Sequence, residues 1–177
     1  MKNPLSPFLQ SALTHTAIIV GAVILHSIVA DIAGIYFSVY NSIAGVVLPF
    51  IGISYVIYAY RTESCDNVIT YSKALGYGSM VALFYGVLMS LFQYIHLHEI
   101  SPDLLEMAQV VTEEKLIKRG LSDAQIETAI EQGERFKSFG WSMLFGTLAG
   151  FLFGFIFSLI AAAFLKKEPK NPFEGVE

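Results

Sequence analysis

The sequence predicts an all-α polytopic membrane protein, with four transmembrane helices and an extramembrane αα-hairpin between spans three and four. Three observations carry this. The chain is 54% hydrophobic and only 15% charged, whereas a soluble domain runs near a quarter charged. Four stretches each offer roughly 20 mainly apolar residues, the length that crosses a bilayer. One segment between the last two stretches gathers most of the acidic residues and has helical periodicity.

The spans are expected at about 9–30, 35–60, 74–97 and 140–165, with the helical insertion at about 99–138 and the whole chain forming one membrane domain. No Lys or Arg lies inside a span. A cleavable signal peptide is the competing reading of span one. Its apolar stretch exceeds the usual 7–15 residues, and Ile28 stands where cleavage after Ala30 needs a small residue. Span one is therefore expected to be retained. In span two, Pro49 removes one backbone hydrogen bond and predicts a kink. Tyr55, Tyr58, Tyr60, Tyr71 and Trp141 fall where aromatic belts form.

Positive charge sets the orientation. Lys2, Arg61, Lys73, Lys166, Lys167 and Lys170 all fall on one side of an even number of spans. The long loop offers only Arg135 and Lys137 close to a span. Lys and Arg near spans favour the cytoplasm, so both termini are expected there, and with them Cys65.

Helices in lipid associate through close backbone approach at small residues. Span three carries Ala74, Gly78, Ala82, Gly86 and Ser90 at intervals of four, and span four carries Ser142, Gly146, Gly150, Gly154, Ser158 and Ala162. Gly78, Ala82, Gly86, Gly146, Gly150 and Gly154 are the expected packing positions, within one chain or across a homodimer. Phe151, Phe153, Phe155 and Phe157 flank the row and are expected to face lipid or fill gaps.

In the insertion, Ser101 is expected to cap a first helix, with Pro102 at its first position. Leu104, Met107, Ala108 and Val111 then form an apolar stripe. Gly120 follows Lys118 and Arg119, as at a helix C-terminus. Ser122 and Gln125 form a capping box for a second helix, with Leu121 and Ile126 as a hydrophobic staple. Ile126, Ala129, Ile130 and Gly133 continue its stripe. The two stripes are expected to cover each other.

Ionisable residues in or beside a span are candidate sites by default. His26, Asp31, His96, His98 and Glu99 fall at the outer ends of spans one and three. Imidazole and carboxylate can bind a transition metal or relay protons, so these five form the candidate metal set. Against it, His96 and His98 diverge by about 200° on a helix. Hydrogen bonds between helices account equally well for His15 and His26.

Other classes lose support. A net charge of −4 argues against nucleic acid. The lone Cys65 makes no internal disulfide, and no zinc spacing is present. Span serines lack a base at a recognisable spacing, and the glycines form no phosphate loop. No enzyme activity and no cofactor is expected.

The arrangement also resembles a known family. An Arg-bearing turn leads into Tyr71-Ser72-Lys73-Ala74-Leu75-Gly76; the insertion reads Ser101-Pro102-Asp103-Leu104-Leu105-Glu106 and Gly120-Leu121-Ser122-Asp123-Ala124-Gln125-Ile126-Glu127; the tail reads Lys166-Lys167-Glu168-Pro169 and then Pro172-Phe173. With four spans and a charged hairpin, nearly the whole chain resembles the bacterial domain-of-unknown-function family DUF4199. That resemblance implies a multi-pass protein of the bacterial inner membrane and brings no catalytic or ligand residues. The expectation is a non-enzymatic protein whose extracytoplasmic hairpin contacts a protein partner or a second copy. A component of a small-solute or ion transporter or channel is the alternative, and a membrane metal-binding accessory protein is the next.

Overall fold

The computed structural model describes residues 6–135 and 137–167. Lys2, Lys170 and the tail motif from Glu168 to Phe173 lie outside them. Six helices follow in order: α1 (Pro7–Ile32), α2 (Val39–Ser64), α3 (Tyr71–Ile95), α4 (Asp103–Lys118), α5 (Asp123–Arg135) and α6 (Phe139–Leu165). A π-helical turn, His96–Ile100, extends α3. Among the described residues the sole β pairing is one bridge between Ile69 and Lys167.

Hydroxyl caps start the first three spans. Ser6 accepts from the Leu9 N–H at 3.3 Å, Ser38 from that of Asn41 at 3.1 Å, and Thr70 from that of Lys73 at 3.4 Å. The second span begins at Val39, four residues later than the sequence predicts. The chain turns at Gly34, whose φ of +68° suits a residue without a Cβ. Ile35 then bonds back to Ala30 at 2.9 Å. That turn uses the apolar residues that extended the span on hydropathy alone.

α1, α2, α3 and α6 have mean hydropathies of 1.9, 1.9, 1.6 and 2.4 over their apolar windows. The rest of the protein buries only 22–33% of each window. The remainder is a continuous apolar surface that water would not tolerate and a bilayer would.

The tightest packing joins α3 to α6. A methyl group built on Gly146 would stand 2.7 Å from Ser90 Cβ, one on Gly150 2.7 Å from Gly86 Cα, and one on Gly154 2.6 Å from Ala82 Cβ. On α3, a methyl on Gly78 would stand 2.8 Å from Ser158 Cβ. Each step of four up one helix meets a step of four down the other. The two small-residue rows form one antiparallel seam inside the chain, close enough that backbone touches backbone.

The start of α1, the end of α6 and the α2–α3 turn share one end of the bundle. Ile69 and Lys167 exchange backbone hydrogen bonds at 2.9 and 2.8 Å, and the Arg61 guanidinium donates to the Leu165 carbonyl at 2.9 Å. That second bond satisfies one of the acceptors left open at the C-terminus of α6. The loop helices project from the opposite end, called here the hairpin end.

Candidate functional site

At the hairpin end, α1, the π turn and the start of the insertion meet at one carboxylate. Asp31 Oδ2 accepts from His96 Nε2 at 2.9 Å and from the Ser101 hydroxyl at 2.5 Å. The wide turn places His96 there. The Ser101 N–H bonds back five residues to the His96 carbonyl at 2.8 Å, so the chain widens before α4 begins. Ser101 was expected to cap α4. Its hydroxyl instead reaches a residue 70 positions earlier, and α4 starts at Asp103 behind Pro102.

His96 is fully buried, between Tyr36 at 5.6 Å and Phe92 at 5.1 Å between ring centroids. In the neutral ring, its bond to Asp31 places the proton on Nε2. Nδ1 is then an acceptor with no partner among the described residues. Gln93 donates to the Tyr36 hydroxyl, and Asn41 donates to the Tyr36 carbonyl at 2.6 Å. His26 Nε2 pairs with Asn41 Oδ1 at 3.0 Å. The network thus ties α1, the α1–α2 turn, α2 and α3 to the base of the insertion.

The candidate metal set does not assemble. Of His26, Asp31, His96, His98 and Glu99, only Asp31 and His96 meet. His26 is taken by Asn41. His98 Nδ1 lies 2.9 Å from the Tyr94 carbonyl and its ring stacks on Tyr94 at 4.1 Å. Glu99 is exposed. The divergence of residues two apart on a helical turn is the physical reason. No group of three ligands suited to a metal occurs among the described residues. The Asp31 site is also no nucleophile-and-base pair: serine and histidine both donate to the same carboxylate, which makes it a clasp.

A second polar cluster lies at the opposite end of the bundle. The Tyr77 hydroxyl bonds His15 Nδ1 at 2.6 Å and the Ser11 hydroxyl at 2.9 Å. Its ring stacks flat on Tyr60, with centroids 3.8 Å apart. Glu63 approaches the far nitrogen of His15 at 3.7 Å from an exposed position. Sequence reasoning found His15 but not its partner. Tyr77 reads there as one more apolar residue of span three, and its spacing from His15 carries no signal.

Outside the spans, α4 and α5 are joined by a turn at Gly120, where φ is +78°. Gln109 donates to Glu134 at 2.6 Å across the two helices, and Lys137 donates to the same oxygen at 2.5 Å. The Lys137 ammonium holds the Glu134 carboxyl below the usual carboxylate range. Gln125 accepts from the Ser122 N–H at 3.0 Å, which is the backward half of the expected capping box. The stripes differ in two residues from expectation, Met107 and Gly133, both exposed. Leu104 is buried and Leu105 is half-buried.

Between the two helices runs a groove of about 480 Å³. Ile117, Ile126 and Ile130 supply its apolar surface, and Glu113, Asp123, Glu127 and Glu131 flank them. All four carboxylates are exposed.

Fold and site together define an integral, multi-pass membrane protein carrying a helical insertion outside the bilayer. The family model described as "Protein of unknown function (DUF4199)" matches residues 12–167, and the chain belongs to that family. The chain finds no match among curated proteins or solved structures.

Proposed function

We propose that this is a non-enzymatic protein of the bacterial inner membrane, with both termini cytoplasmic, whose extracytoplasmic hairpin recognises a protein partner through a basic amphipathic segment. The observation that carries this reading is the groove between α4 and α5. Apolar side chains flanked by Asp123, Glu127 and Glu131 along α5 and by Glu113 on α4 complement a helix or strand with apolar residues on one face and Lys or Arg beside them. The Asp31 clasp supports it, because it fixes the insertion to the bundle and so presents the groove at a set height and angle. That His96 Nε2 and the Ser101 hydroxyl both spend their protons on Asp31 Oδ2 favours a holding role over a reaction.

The test places a photo-cross-linking amino acid at Ile117 in living cells. Specific adducts should form, and Glu127→Gln with Glu131→Gln should suppress them. Exposed charge pairs are screened by salt, so the purified complex should weaken as ionic strength rises. If a chain lacking Glu106–Glu134 retains the same partners, recognition lies in the spans and the transporter-component reading takes over. Orientation is tested separately. A membrane-impermeant thiol reagent should reach Cys65 only from the cytoplasmic side, and a cysteine at position 123 in a Cys65→Ser background only from outside.

A further inference from the structure

We propose that the hairpin-end half of the bundle holds a site for an uncharged, carbonyl-bearing lipophile of the quinone type. The inference is independent of the hairpin's role and rests on a cavity of about 310 Å³ between α2, α3 and α6. That volume lies at the lower end of ligand pockets.

The walls follow from the sequence. Gly146, Gly150 and Gly154, drawn against α3, leave bare backbone along this flank of α6, and α2 does not close over it before Pro49. Val39, Ile43, Val46 and Val47 of α2 remain substantially exposed, whereas Ile53, Val56 and Ile57 beyond the proline are fully buried. The cavity therefore opens sideways from the hydrocarbon layer. What enters it must first dissolve in lipid.

Two polar side chains of the lining are already paired, Ser90 with the Thr147 hydroxyl and Gln93 with that of Tyr36. The half-buried Tyr85 faces the cavity with a hydroxyl that makes no hydrogen bond with the described residues, although tyrosine kept from water ordinarily finds a partner for its O–H. Gly45 also lines the cavity, and Pro49 deprives its carbonyl of the usual donor four residues on. In hydrocarbon no water is at hand to serve the phenol, and leaving its O–H open costs free energy.

Depth selects the occupant. Tyr85 lies ten residues inside the end of α3 at Ile95, about 15 Å at the helical rise per residue. The hydrocarbon core is about 30 Å thick, so the phenol sits near the midplane. Glycerolipid ester carbonyls stay at the interface and do not reach it. A neutral ring with its own carbonyl and an alkyl tail can reach it. Its carbonyl accepts from the Tyr85 hydroxyl, and its tail leaves by the lateral opening. No redox step is involved, only binding.

The experiment uses the full chain in nanodiscs of zwitterionic lipid. Binding of radiolabelled decyl-1,4-benzoquinone is compared with that of decylbenzene, and lipids co-purifying with the protein are identified by mass spectrometry. The quinone should bind saturably, and decylbenzene at least tenfold more weakly. Tyr85→Phe, which removes only the oxygen, should weaken quinone binding about tenfold and leave decylbenzene unchanged. Gly45→Phe should abolish both, because a Cβ at Gly45 meets nothing within 4 Å and the ring can enter the cavity without displacing a helix. An unchanged thermal transition in both variants shows that they fold. Equal binding of quinone and decylbenzene, or indifference to Tyr85→Phe, overturns the proposal in favour of an apolar niche. A stoichiometric phospholipid that the quinone fails to displace overturns it too.

Discussion

α2 is two helices in one, and the comparison of its halves explains the bundle. From Gly52 onward it is built in: Ile19 of α1 stands 2.9 Å from where a Cβ on Gly52 would be, and Ile53, Val56 and Ile57 are fully buried. Before Pro49 it runs beside an open cavity, with Val39 76% and Ile43 58% exposed. The residues differ little in hydropathy. They differ in what stands opposite. The half after Pro49 lays its own Tyr60 flat on Tyr77 of α3 at 3.8 Å and edge-on to Phe8 of α1 at 5.8 Å. The half before Pro49 faces the flank of α6 across the cavity. In lipid an apolar side chain gains little by leaving one hydrocarbon for another, so packing needs a matching surface. Glycines facing a backbone supply one, as at α3–α6. The flank of α6 beside the first half of α2 offers no such surface, and a gap remains.

That contrast gives the largest expected effect. Gly150→Leu places a branched chain where a methyl already meets Gly86 Cα at 2.7 Å, and Gly86→Leu does the same against the Thr147 carbonyl at 2.6 Å. Either should abolish a monodisperse peak in size-exclusion chromatography in detergent. Even Gly150→Ala should cost about 1–3 kcal/mol, the usual range for overpacking. Gly45→Leu faces the gap instead and should fold normally. So should Phe151→Leu, which leaves the row itself intact. Equal tolerance of the Gly150 and Gly45 substitutions would remove the distinction between seam and gap.

The seam was legible because absence of side chains at a fixed interval is a pattern in sequence, and an antiparallel partner of the same interval fixes the register. The spans were legible from apolar length. The clasp was not. Ser101 before Pro102 reads as a helix cap, and nothing local reports that a carboxylate 70 residues away will claim its hydroxyl. The candidate metal set failed for a related reason. Sequence placed five ligands at one level of the membrane but could not supply their rotation about each helix, which sent His26 to Asn41 and His98 to its own turn. The gap was equally hidden, since it depends on where the first half of α2 lies relative to α6.

A smaller effect compares the polar tie at each end of the bundle. Asp31→Ala strands two donors, of which His96 is fully buried. A buried unsatisfied group costs about 1–3 kcal/mol. The loss should appear as faster proteolysis of the segment after Ile100, because the clasp is what joins that segment to α1. Tyr77→Phe removes the hydroxyl shared by His15 and Ser11 but keeps the ring on Tyr60. It should cost about 1 kcal/mol, lower the thermal transition of the whole bundle, and leave loop proteolysis unchanged. Identical proteolysis of the two variants would mean that the clasp does not hold the insertion.

The smallest effect lies in the insertion, where lipid gives no help and the contacts are wet. Glu134 accepts from Gln109 and Lys137, and the lysine keeps its carboxyl below the ordinary value of 4.5. A depressed carboxylate favours the folded arrangement when ionised. Its contribution is therefore complete above 4.5 and disappears as pH falls through the lower folded value. Because the group is fully solvated, the contribution is small and sensitive to salt. Spin labels at Lys118 and Thr128, both exposed and on different helices, should report a distance distribution that broadens when the pH is lowered from 6 to 3. Glu134→Gln should broaden it slightly at pH 6 and reduce the further change on acidification. A distribution that narrows with acid, or one that Glu134→Gln leaves as pH-sensitive as before, would show that α4 and α5 are held by their buried isoleucine and leucine contacts alone.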